Sequence, residues 1–176
     1  MKRWIALFSQ SGSEIVSISE KLGRWPDVIL TNNMDKNTSH RDLMMRSNVR
    51  RMTHPRVIKE IEKDAACFER AFITLHGYLR IMPEIPNEMY NGHPGDIIKY
   101  PELKGKDPQK KALELGLPTT GCVIHKVTKE VDSGEILDYN TLKILEDETE
   151  ESLIVALRKM SIDMWVKFLS EKFKDG

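Results

Sequence analysis

Apolar residues fall in short continuous runs in the first half of the chain and at helical spacing near its end. Trp4-Ile5-Ala6-Leu7-Phe8, Asp27 to Thr31 and Ala71 to Leu75 carry few polar interruptions, the pattern of strands buried on both faces. Between them the period changes. Glu14 to Leu22 reads as a helix stopped by Gly23. Pro55 opens a second helix that ends near Cys67, with Val57, Ile58, Ile61 and Ala65 along one face. Thr38 to Arg51 is polar and basic with scattered Met and Leu, and predicts a short helix plus a mobile loop. Pro83 and Pro86 forbid a long helix after the third run.

Gly95 to Asp107 is a long irregular stretch marked by prolines, of the kind that is usually functional or disordered. Asp107 to Leu115 predicts a helix. Cys122 to Val127 alternates, placing Val123, His125 and Val127 on one face, and Ile136 to Leu145 supplies another strand or two. Thr149 to Phe173 is a long amphipathic helix with Leu153, Leu157, Met160, Met164 and Phe168 as its apolar stripe. Strand and helix thus alternate at the front. That order predicts an α/β fold, an open and mostly parallel twisted sheet flanked by helices, in a single domain over residues 1–176. Ligands of such sheets bind at the carboxyl ends of the strands. The loops there hold Gly12-Ser13, Asn32-Asn33, His76-Gly77 and the segment around Asn91 to His93.

Composition narrows the classes. At 176 residues the chain is long enough to bury a core without staples. Its 27 basic and 27 acidic residues balance, which gives no sign of a nucleic-acid or membrane partner. The two cysteines, Cys67 and Cys122, form no C-x-x-C pair, so neither a disulfide framework nor a metal site is suggested. The apolar run after Met1 is too short for a signal peptide or a membrane span, and a cytoplasmic location is expected.

The candidate chemistry lies in Asn91-Gly92-His93-Pro94-Gly95-Asp96. Residues two apart in an extended segment point the same way, so Asn91 and His93 present an amide and an imidazole to one point. Such a pair, aimed at a carbonyl, can stabilise an oxyanion and move a proton. Ser9-Gln10-Ser11-Gly12-Ser13-Glu14 links a strand to a helix, and a helix N-terminus suits an anion. Arg46, Arg50, Arg51 and His54 form a basic cluster that fits either a phosphorylated ligand or a solvated face.

Four blocks in this order carry a resemblance: Gly12-Ser13; Gly77-Tyr78-Leu79-Arg80-Ile81-Met82-Pro83; Asn91-Gly92-His93-Pro94; and Gly121-Cys122-Val123-Ile124-His125 running on to Val131-Asp132-Ser133-Gly134-Glu135-Ile136. The chain resembles the folate-dependent formyltransferases, most nearly those that act on glycinamide ribonucleotide. The family's Asn-x-His-Pro segment is followed by Asp-x-Gly, and here Asp132 lies 39 residues beyond His93. The resemblance implies a Rossmann-like formyltransferase fold and a catalytic group of Asn91, His93 and Asp132. It also implies a formyl donor, 10-formyltetrahydrofolate, held by Leu79, Arg80, Ile81 and Val131, and an acceptor phosphate held by Ser11, Gly12 and Ser13. In this reading Asn91 and a protonated His93 donate to the oxyanion while Asp132 holds His93 charged and relays the proton. His125 is read as a core histidine supporting the site, and Asp96 as a turn cap.

The acceptor half departs from the family pattern. Glu14 stands where those enzymes carry Asn, and a carboxylate beside a phosphate is unfavourable unless it points away or binds a hydroxyl or amine. Their acceptor-binding Glu on the last helix falls near Met160 to Ser161, where this chain has no acid. The resemblance therefore implies formyl transfer to the amine of a small, phosphorylated acceptor, a glycinamide ribonucleotide or another nucleotide. The alternatives are an amino-sugar nucleotide, or a noncatalytic folate- or nucleotide-binding relative. The tRNA-modifying members carry a C-terminal barrel for which this chain has no room, so tRNA is not expected as a partner.

Overall fold

The computed structural model of the chain describes residues 2–67, 71–84 and 88–175. Pro86 and the side chain of Ala65 lie outside the described residues. One seven-stranded sheet runs through them in the order β3-β2-β1-β4-β5-β6-β7. Its strands are β1 (Arg3–Phe8), β2 (Val28–Thr31), β3 (Val49–Arg51), β4 (Ala71–Leu75), β5 (Glu88–His93), β6 (Thr119–Lys126) and β7 (Ile136–Lys143). The first five are parallel, and β6 and β7 are added antiparallel. The expected open, mostly parallel α/β sheet is therefore present.

The continuous apolar runs are explained by helices on both faces. From β1, Trp4, Ala6 and Phe8 pack with α1 (Ser13–Leu22) and α5 (Glu150–Lys174), while Ile5 and Leu7 pack with α3 (His54–Cys67) through Val57 and Ile61. α1 and α3 thus leave the sheet on opposite sides. The crevice between the loops after β1 and β4 is the point where the strand order reverses. Those loops are tied together: His76 N–H donates to Leu7 O at 2.9 Å and Ser9 N–H to Gly77 O at 3.2 Å.

Two expectations are corrected. Thr38 to Arg51 holds a helical turn, α2 (Arg41–Met44), but its end is the edge strand β3, paired with β2 only. An edge strand needs no apolar run, and its charged side chains find partners across the surface. Arg50 reaches Glu60 and Asp64, Arg51 donates to Asn33 O and Ser39 Oγ, Arg46 lies over the Trp25 ring at 3.3 Å, and His54 meets the Tyr78 hydroxyl. The basic cluster is thus engaged within the fold. In α5, Leu153, Leu157 and Met164 are buried as expected, whereas Met160 and Phe168 are only half-buried. Ile162, Trp165 and Leu169 are buried instead, because the helix lies between α1, the sheet and α4 (Pro108–Glu114) and buries a face wider than one stripe. Among the described residues no helix is long and apolar enough to cross a membrane.

Candidate active site

β5 positions the first two groups. Asn91 lies opposite His125 and His93 opposite Val123 in the antiparallel pairing with β6. Gly92 faces the other way, where an added Cβ would come within 2.8 Å of the Trp165 indole nitrogen. Asn91 and His93 therefore share one face, as the spacing requires.

Asp132 comes to that face from the turn after β6. Its backbone is left-handed, with φ at 52°, a conformation that is costly for a residue with a side chain and is concentrated at functional sites. Two residues on, Gly134 lies against the Lys126 carbonyl so closely that a Cβ would sit 1.7 Å from the oxygen. That close approach folds the turn back over β6 and sets the Asp132 carboxylate between two imidazoles. Oδ2 lies 3.3 Å from His93 Nδ1, and Oδ1 lies 3.3 Å from His125 Nε2. All three side chains are almost wholly buried. His125 is thus a buried histidine beside the site: its Nε2 stands 3.3 Å from the second carboxylate oxygen, while its Nδ1 contacts Lys126 O at 2.8 Å.

The long stretch from Gly95 to Asp107 is ordered by the same site. Leu103 is fully buried with Ile97, Ala112 and Val123, which anchors the loop. From there the Leu103 carbonyl accepts from His93 Nε2 at 2.8 Å, and Gly105 N–H donates to Asp132 Oδ2 at 2.9 Å. Asp96 accepts from Lys99 N–H at 3.1 Å and caps the turn at the start of the loop. Both ring nitrogens of His93 face acceptors, so the fold leaves it no idle N–H.

Electrostatics follow from burial and these partners. Burial opposes charge on Asp132, but His125, His93 and the Gly105 N–H outweigh it and hold the carboxyl below its ordinary value. Burial pushes the His93 imidazole below its ordinary value, against the opposite pull of Asp132 and the Leu103 carbonyl. Both lowered groups act in the same direction on stability. Each contributes fully above its unfolded-state value and loses its contribution as pH falls through the lower folded-state value. Melting temperature measured against pH should accordingly decline from about pH 6.5 through His93 and again below about pH 4 through Asp132. A flat profile across that range would contradict this assignment.

Beside this group, at the reversal point of the sheet, opens a cavity of about 280 Å³. Ser11, Gly12, Ser13 and Glu14 form one wall, His76 and Gly77 a second, and Gly92 and Pro94, which flank His93, a third. Gly12 adopts a left-handed φ of 72°, which turns the chain into α1. The Ser11 to Ser13 loop lines the cavity together with Gly92 and Pro94, whereas Asn91, His93 and Asp132 are not among its lining residues. Elsewhere in the lining, Arg158 of α5 and Gln109 are not singled out by the sequence, and Ser161 enters there only as a position that lacks an acid. The one signal there is polar residues three apart beside Leu157, which reads equally as a solvated face. Leu79, Arg80, Ile81 and Val131 do not line this cavity. They are exposed on the loops after β4 and β6, which are bridged by an ion pair between Lys129 and Glu84 at 2.8 Å.

The comparisons with known proteins agree with this architecture. The formyl transferase family matches residues 28–169. The trifunctional purine biosynthetic protein adenosine-3 of Drosophila melanogaster is 36% identical over 92 residues, 49% of this chain and 7% of that protein. Methionyl-tRNA formyltransferase of Thermotoga maritima is 37% identical over 87 residues, 49% of this chain and 26% of that protein. The chain therefore spans only a small part of these relatives. Phosphoribosylglycinamide formyltransferase from Anaplasma phagocytophilum superposes with a TM-score of 0.82 at 22% identity, covering 96% of this chain and 85% of that one. The Campylobacter jejuni enzyme of the same name gives 0.81 at 20%, covering 98% of each chain. With residues 28–169 matched by the family, the chain belongs to the formyl transferase family.

Proposed function

We propose that the protein transfers the formyl group of 10-formyltetrahydrofolate to the amine of a small phosphorylated acceptor held in the cavity between β1 and β4. The observation that carries this is the Asp132 carboxylate fixed between His93 and His125, with His93 set between two residues that line the cavity. The bound donor supplies an activated formyl group. Leu79, Ile81 and Val131 are apolar side chains left 69, 68 and 51% exposed on two bridged loops, which suits a flat ring laid across them. Arg80 sits between the first two.

Asn91 donates from Nδ2 to the formyl oxygen as charge develops there. His93 reaches that oxygen by giving up the Leu103 carbonyl, and Asp132 stabilises the imidazolium while it does so. The attacking amine must lose a proton and the leaving nitrogen must gain one. The His93 and Asp132 pair carries that proton through water. Ser11, Gly12 and Ser13, at the N-terminal end of α1, hold the acceptor's anion, with Arg158 across the cavity adding a positive charge.

A thermal-shift screen tests the reading. A folate analogue should raise the melting temperature alone, and one of glycinamide ribonucleotide, a nucleoside monophosphate or an amino-sugar nucleotide should raise it further. No shift with the folate analogue would remove the donor from the proposal.

A further inference from the structure

A polar relay that the transfer chemistry does not use runs from the core to the cavity wall, where His76 and Glu14 lie. The Trp4 indole N–H, which can only donate, reaches Thr74 Oγ1 at 2.7 Å. The Thr74 hydroxyl is in turn 2.8 Å from His76 Nε2, and His76 Nδ1 is 2.9 Å from Glu14 Oε1. With the indole donating to it, Thr74 has its own hydrogen left to give to His76 Nε2. That places the imidazole proton on Nδ1, from which it is donated to Glu14. The His76 side chain is wholly buried, whereas Glu14 is 24% exposed and lines the cavity. One Glu14 oxygen is therefore fixed from behind. Among the described residues the other, Oε2, has the long 3.4 Å contact from Ser161 Oγ as its hydrogen bond. A carboxylate oxygen accepts hydrogen bonds and nothing else, so this one calls for a donor on the ligand. The Ser11 to Ser13 loop beside it is partly satisfied internally, since Ser11 Oγ accepts the Ser13 N–H at 3.3 Å.

We propose that Glu14, positioned by His76 and Ser161, selects the acceptor by taking a hydrogen bond from a hydroxyl or ammonium group that the acceptor places deep in the cavity. This rests on the acceptor binding there. It adds that the acid of the acceptor pocket is supplied by the first turn of α1, against Ser161 of α5. The Glu14 carboxylate disfavours an anion at its own position, beside the Ser11 to Ser13 loop.

The test compares the wild-type protein with Glu14→Gln and Ser161→Ala by calorimetric titration. The probes are glycinamide ribonucleotide, an amino-sugar nucleotide, ribose 5-phosphate (hydroxyls without the amine), glycinamide (the amine without the sugar) and inorganic phosphate. At least one organic probe should bind the wild type and lose ~10-fold or more in affinity to Glu14→Gln, the size expected for a hydrogen bond to a charged acceptor. Ser161→Ala should lose less. Inorganic phosphate should bind Glu14→Gln at least as well as the wild type. Ribose 5-phosphate and glycinamide show whether the donor is hydroxyl or ammonium. The proposal is overturned if no organic probe binds, if affinities are unchanged, or if phosphate weakens in parallel with the organic probes. A folate-analogue titration on the same samples separates failure of this proposal from failure of formyl transfer, because donor binding should be equal in all three proteins.

Discussion

Replacing Asp132 with Asn should cut turnover by ~10²–10⁴-fold, the range for a positioned acid–base pair, while leaving folate-analogue affinity within a few-fold. The amide keeps the size of the side chain but removes the charge that faces His93 Nδ1 and His125 Nε2 at 3.3 Å each. His93 then loses the partner that makes its imidazolium form tolerable in a buried setting. Of the surface proposed for the donor, Leu79 to Ile81 are on another loop, and Val131 beside Asp132 keeps its own side chain. Steady-state rates and a separate binding titration check both halves. Unchanged turnover would sink the catalytic assignment of Asp132, and loss of both turnover and donor binding would point to a structural role.

Gly134→Ala should be nearly as damaging, although residue 134 has no side-chain chemistry. Its Cβ would lie 1.7 Å from the Lys126 carbonyl oxygen, a backbone atom that cannot swing aside. The turn must open, and Asp132, two residues earlier and already held left-handed, moves with it. A displacement of about 1 Å in a catalytic group can cost ~10²-fold, and the clash itself should take ~1–3 kcal/mol from stability. Gly23→Ala is the control. It also has a positive φ, at 68°, but open space around its Cβ, so it should lose ~1–2 kcal/mol and keep its turnover. Melting curves and rates for both variants make the comparison. Equal turnover in the two would contradict a link between the turn and the site.

Among the strands, those at the centre of the sheet are the most readable in the sequence, because their residues are buried on two sides. β1 and β4 are continuous apolar runs because α1 and α5 cover one face and α3 the other. β3 was not readable, since Arg50 and Arg51 on an edge strand look like loop residues until Glu60, Asp64 and Ser39 are seen beside them. In the candidate site, the side chains with chemistry of their own stood out: Asn91, His93 and Asp132 carried a motif, and Ser11 to Ser13 a loop type. What stayed hidden acts through backbone or through placement. Leu103 contributes a carbonyl and Gly105 an N–H, which no residue type advertises. His125 fitted a core face by alternation and only the Asp132 turn gave it a second partner. Glu14 was conspicuous as a misfit beside an anion loop. Its position depends on His76 of the loop after β4 and on Ser161, 147 residues away on α5, meeting it at the cavity.

Formyl transfer is read at its product. Purified protein would be incubated with 10-formyltetrahydrofolate and the acceptor candidates that bind in the titrations above, and the acceptors analysed by mass spectrometry. One acceptor should gain the mass of a single formyl group on its amine in step with loss of the folate formyl group, with no gain for Asp132→Asn at matched times. Loss of the folate formyl group with formate as the only product would contradict transfer to an amine. So would equal product from the wild type and Asp132→Asn.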